Sequence, residues 1–99
     1  MDKIKVVVQG ALGRMGQEVI RALCQDEATV AVGAVDLKVC SNELALPDGS
    51  GVIPLSANLK QLLAECRPDV LVDFTVAQAT MPAVRTAVKY GVNLVIGTT

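Results

Sequence analysis

Residues Lys5–Ile20 read KVVVQGALGRMGQEVI. A Val-rich run ends in three glycines, Gly10, Gly13 and Gly16, and the residues beyond them turn helical. Met15, Val19, Ile20 and Leu23 fall on one side of that helix, and Gln17, Glu18, Arg21 and Gln25 on the other. A turn needs one residue without a Cβ; three at this spacing point to a group lying against the backbone. The first N–H groups of a helix lack intrahelical partners and sit at the positive end of its dipole, where a phosphate binds.

The pattern G-x-x-G-x-x-G is weak by itself. Its place, after an apolar strand and before an amphipathic helix, is that of a dinucleotide-binding turn. Tight strand–helix packing is the competing reason for the glycines, and Gly16, inside the helix, can serve it in either case. Asp36 follows a second apolar strand, Thr29–Val35, at about twenty residues beyond the motif, where a carboxylate accepts hydrogen bonds from adenosine ribose. It would repel a 2′-phosphate, which favours NAD over NADP. A turn-forming Asp is the alternative.

The remaining periodicity predicts strands over Ile4–Gln9, Val52–Pro54, Val70–Phe74 and Asn93–Ile96. Helices are predicted over Arg14–Gln25 and Leu59–Cys66, the second capped by Asn58 and closed by Pro68, with Leu59, Leu62 and Leu63 inward. A third helix opens at Thr80-Met81-Pro82, runs to Tyr90 and ends at Gly91; residues 37–51 read as a loop. Alternating strands and helices give an α/β class with a doubly wound parallel sheet. The sequence stops on a strand, and such sheets continue. Residues 1–99 are therefore expected to be one dinucleotide-binding domain, incomplete at its C-terminal side, with any substrate domain outside the sequence. In a 3-2-1-4 strand order, Phe74 and Thr75 end a strand beside the glycine turn, and Gly97, Thr98 and Thr99 end the next. Both groups would border a nicotinamide, or simply end strands. Arg14 either meets phosphate or faces solvent.

Hydrophobic residues are 52% and aromatics 2%, so Val, Ala and Leu must fill the core, as in a sheet buried on both faces. Net charge is −1 with no basic face, which argues against nucleic acid. Apolar runs are strand-length, which argues against a membrane span. The first strand begins too near Met1 for a signal peptide. Cys24, Cys40 and Cys66 form no C-x-x-C pair, so a disulfide framework and a metal site are not expected. Cys24 and Cys66 read as packing residues in a reducing, cytoplasmic compartment. The sequence has no His, so no catalytic residue is assigned within it.

QGALGRMG after a Val-rich strand, GAVD after the second, then VDFT and the terminal VIGTT occur in the order and spacing of the dihydrodipicolinate reductase family, which the whole chain resembles. The resemblance implies an oxidoreductase of lysine and diaminopimelate biosynthesis. Such enzymes reduce a cyclic unsaturated dicarboxylate, 4-hydroxy-tetrahydrodipicolinate, with NADH or NADPH. It places Gly10, Ala11, Leu12, Gly13, Arg14 and Met15 on the pyrophosphate and Asp36 on the adenosine ribose. Phe74, Thr75, Gly97 and Thr98 then join the cofactor site, and Thr99 meets both nicotinamide and substrate. Members that favour NADPH often carry Arg after the acidic residue; Leu37 stands there, a lean toward NADH. After D-F-T, Val76-Ala77 replaces the Ser or Arg and Pro of many members. The family's His-His pair, Lys and homotetramer interface belong to a second domain outside this sequence. Two other classes fit the motifs less fully. One is the cofactor domain of an aspartate, diaminopimelate or homoserine dehydrogenase. The other is a non-enzymatic nucleotide-sensing or CoA-binding module of the same fold, and Asp36 counts against CoA's ribose phosphate. Residues beyond Thr99 would separate them, a His-His-x-x-Lys stretch marking the reductase.

Overall fold

In a computed structural model, residues 3–39, 41–73, 85–86 and 88–96 are described. Six strands, β1 (Ile4–Gln9), β2 (Thr29–Val35), β3 (Glu43–Ala45), β4 (Val52–Ser56), β5 (Val70–Asp73) and β6 (Asn93–Ile96), form one sheet in the order β3-β4-β2-β1-β5-β6. All neighbours are parallel except β3 and β4. Helix α1 (Arg14–Gln25) follows β1, and α2 (Leu59–Cys66) follows β4.

The two helices cover opposite faces. Val6, Val8, Ala31, Ala34, Ile53 and Leu55 pack with Ile20, Val19 and Leu23 of α1. Val7, Val35 and Leu71 pack with Leu62 and Leu63 of α2, and Leu59 adds to that layer. The sheet is thus doubly wound, with aliphatic side chains, mostly Val, Leu and Ala, filling both layers as the composition demands. Asn58 caps α2 by accepting the Gln61 N–H through its side chain at 3.1 Å. The helix closes on Arg67, at φ 46° in the left-handed region, whose N–H donates to the Leu63 carbonyl; Pro68 then bars continuation.

Three expectations need correction. The supposed loop 37–51 contains β3, a three-residue strand antiparallel to β4, so the sheet is mixed at that edge. Its pattern of one half-buried Leu44 between exposed Glu43 and Ala45 is too short for periodicity to show. The strand expected to end at Pro54 runs to Ser56, because Leu55 and Ser56 pair with Ala34 and Val35. Met15, assigned to the buried side of α1, is 57% exposed: it lies in the first turn, before the helix meets the sheet. Strand β2 also carries a bulge. Its pairing with β1 skips from Ala31 to Gly33, so Ala31 and Ala34 face the α1 layer while Val32 and Val35 face α2. Gly33 then lets α2 approach: a Cβ there would lie 3.0 Å from Cys66 Sγ and from Leu62.

Candidate functional site: the glycine turn and the ends of β1, β2 and β5

The three motif glycines have three different causes. Gly10 has φ 83°, a conformation that side chains disfavour, and it reverses the chain at the end of β1. Gly16 is buried in α1, and a Cβ there would fall on the Gly10 carbonyl oxygen and within 2.8 Å of Ala11 Cα. It is the packing glycine. Gly13 answers to neither demand: its φ is −74°, and among the described residues a Cβ would meet only Gly10 O at an ordinary 3.5 Å. The described residues leave room there for a side chain that the sequence does not supply.

Backbone donors are unevenly committed. Gly10 and Ala11 N–H both donate to the Val35 carbonyl, at 2.8 and 3.2 Å, and Gly13 N–H donates to Gly10 O. These bonds shape the turn. Gly13 is the N-cap of α1 and contributes no side-chain cap, and no acidic residue stands in the first turn. Among the described residues nothing accepts from the opening N–H groups of α1, those of Arg14, Met15 and Gly16, which suits them to an external acceptor. The Arg14 and Met15 side chains are exposed beside them. Gln17 steadies the turn from within the helix, its Nε2 donating to the Leu12 carbonyl at 2.9 Å. In the sequence Gln17 stands only as one of the polar residues of α1, although its i+5 spacing from Leu12 is a local reach.

Asp36, one residue past β2, is joined to the same turn. Leu12 N–H donates to its Oδ2 at 2.9 Å, and Lys38 N–H to its Oδ1 at 3.0 Å. Each oxygen keeps acceptor capacity, since an ionised carboxylate has about four lone-pair sites. Asp36 N–H is itself held by the Ser56 carbonyl, which fixes the residue between β2 and β4. Leu37 beside it is 80% exposed.

On the other side of β1, register pairs Gln9 with Asp73, and both side chains are buried. Neither burial was expected from the sequence. Phe74, Thr75, Gly97, Thr98 and Thr99 lie outside the described residues, as do Cys40 and the start of the third predicted helix; residues 85–86 and 88–90 are helical. Cys24 and Cys66 are half-buried packing residues as expected, and Cys66 Sγ donates to the Val32 carbonyl at 3.3 Å. Among the described residues, no helix is long and apolar enough to cross a membrane, and no cluster of His, Cys, Asp and Glu could hold a metal ion.

A doubly wound sheet with a glycine turn at the end of β1, a carboxylate at the end of β2 and β5 on β1's other flank defines a Rossmann-type α/β domain. Residues 4–99 match the family model for dihydrodipicolinate reductase, N-terminus, and the chain belongs to that family. Over 99 residues it is 59% and 60% identical to proteins named 4-hydroxy-tetrahydrodipicolinate reductase from Dehalococcoides mccartyi strains 195 and CBDB1. Both matches cover the whole chain and 38% of the relative. A solved structure, dipicolinate-bound dihydrodipicolinate reductase from Paenisporosarcina sp. TG-14, superposes with a TM-score of 0.82 at 28% identity, over 99% of this chain and 38% of that one. The chain thus spans little more than a third of the relatives it matches.

Proposed function

We propose that this chain forms the cofactor-binding part of a 4-hydroxy-tetrahydrodipicolinate reductase acting in lysine and diaminopimelate biosynthesis. The observation that carries the proposal is the vacant side-chain position at Gly13, above uncapped helix N–H groups and beside Asp36. A pyrophosphate fits that cradle: it is an anion, it needs backbone donors, and a Cβ at Gly13 would stand in its way. The names of the close relatives support the same reading.

In this reading Gly13, Arg14 and Met15 hold the pyrophosphate, and Gly10, Ala11 and Leu12 give the turn its shape. Asp36 accepts the adenosine ribose hydroxyls, which favours NADH over NADPH because its charge repels a 2′-phosphate. Phe74, Thr75, Gly97 and Thr98 border the nicotinamide, and Thr99 meets the cyclic dicarboxylate substrate as well. The bound dinucleotide supplies hydride; this chain's residues orient it. Proton donation, the remaining substrate contacts and the homotetramer contacts fall to the part of the reductase beyond this chain, and the reductase works in the cytoplasm.

The test is a fluorescence titration of the full-length protein with NADH, competed with ADP-ribose. Saturable binding displaced by ADP-ribose is expected, because the adenosine and pyrophosphate contacts lie here. NADH binding that ADP-ribose leaves untouched would overturn the assignment.

A further inference from the structure

Gln9 is the last residue of β1 and is 8% exposed, and its Oε1 is buried with no hydrogen-bond partner among the described residues. A buried polar atom left in this way is costly and calls for a cause. Register places Asp73, the last residue of β5 and fully buried, directly beside it. Both side chains lie on the α2 face, since Val7 and Leu71, two residues earlier on each strand, belong to that layer. Adjacent strands are about 4.8 Å apart, within easy reach of a Gln side chain.

We propose that Gln9 is a positioning residue whose amide NH2 donates to the Asp73 carboxylate, tying the ends of β1 and β5 together beneath the cofactor crevice. Rotating the terminal torsion by half a turn brings NH2 inward in place of the carbonyl. That torsion is broad and roughly two-fold, so the rotation costs little. A carboxylate with about four acceptor sites takes the new bond beside any it already makes. A buried carboxylate is tolerated where donors meet it, and an amide is the uncharged side chain that brings two. The bond matters because of what comes next in each strand. Gly10 follows Gln9 and begins the pyrophosphate turn; residue 74 follows Asp73 and begins the segment assigned to the nicotinamide. The pair sets the spacing between the two halves of a dinucleotide site, and so rests on the reading proposed above.

A swap in the full-length protein tests it. Gln9→Glu alone sets two carboxylates together, and Asp73→Asn alone trades the charged acceptor for a weaker neutral oxygen and sets a second NH2 beside the Gln9 amide. Each should weaken NADH binding by about fivefold or more, whereas the double variant restores one amide and one carboxylate and should return to within about twofold of the parent. Losses that multiply in the double variant would overturn the pairing. If Gln9→Glu does not fold, recovery of folding in the double variant supports the pair, and its failure to fold overturns it. Parent protein that binds no NADH would refute the dinucleotide reading by itself; the pair would then stand or fall on the same rescue measured in melting temperature.

Discussion

Leu12 N–H donates to Asp36 Oδ2 at 2.9 Å, so two residues 24 positions apart join the glycine turn after β1 to the end of β2. The carboxylate expected to meet a ribose is also a brace for the backbone expected to meet a pyrophosphate. Its position is set by the turn, and the turn's by it.

Asp36→Ala should therefore do two things. It leaves the partly buried Leu12 N–H unsatisfied, at a cost of about 1–3 kcal/mol in stability. It also removes the ribose acceptor and the charge that repels a 2′-phosphate. In the full-length enzyme, kcat/KM for NADH should fall more than that for NADPH. Asp36→Asn keeps an oxygen for Leu12 and gives up the exposed bond from Lys38 N–H, so it should lower the melting temperature less than Asp36→Ala yet still shift the cofactor ratio. An unchanged ratio in both variants would separate Asp36 from cofactor choice.

Gly16→Ala sets two effects of opposite sign against each other. Replacing a helical Gly by Ala ordinarily gains about 1 kcal/mol. Here the new methyl group would land on the Gly10 carbonyl and crowd Ala11 Cα, backbone atoms that cannot swing aside. Overpacking of this kind costs about 1–3 kcal/mol, so the loss should win. Thermal denaturation checks it: a raised melting temperature would mean that α1 can move away from the turn freely.

Burial pushes the Cys66 thiol up, with the neighbouring Glu65 charge adding to it. The thiolate is the reactive form, so a raised pKa leaves less of it at pH 7.5. Alkylation followed by peptide mass spectrometry should show Cys66 reacting about tenfold or more slowly in the folded protein than in denaturant. Equal rates would place α2 away from the Val32 carbonyl that Cys66 now meets.

Much of this architecture is legible in the sequence because its signals are local and repeated. β1, α1, β2, α2 and β6 have the bounds that apolar periodicity and Asn58 capping predict. What escaped depends on register or on non-local contact. β3 is three residues long and exists because β4 lies opposite it. The bulge at Val32 changes which faces Ala34 and Val35 serve; its one mark in TVAVGAV is Gly33, and an interior glycine does not say which residue the pairing skips. Spacing found the three motif glycines, but only the backbone separates the conformational one, Gly10, from the packing one, Gly16, and from Gly13, which the fold itself does not require. Gln9 is simply the last residue of the first predicted strand; its burial beside Asp73 appears only in the register of β1 with β5.

The central claim is that Gly13 is kept small for a ligand. The most direct measurement is NADH affinity together with melting temperature for Gly13→Ser in the full-length protein. At φ −74° and ψ 168°, an N-cap Ser is well placed to accept a first-turn N–H. As an N-cap, Ser is a few tenths of a kcal/mol better than Gly, so stability should hold or rise slightly. The same side chain fills the cradle and takes a donor that the pyrophosphate needs. NADH affinity should fall by more than about tenfold, equivalent to 1.4 kcal/mol. A Gly13→Ser protein that melts like the parent and binds NADH as tightly would contradict the account.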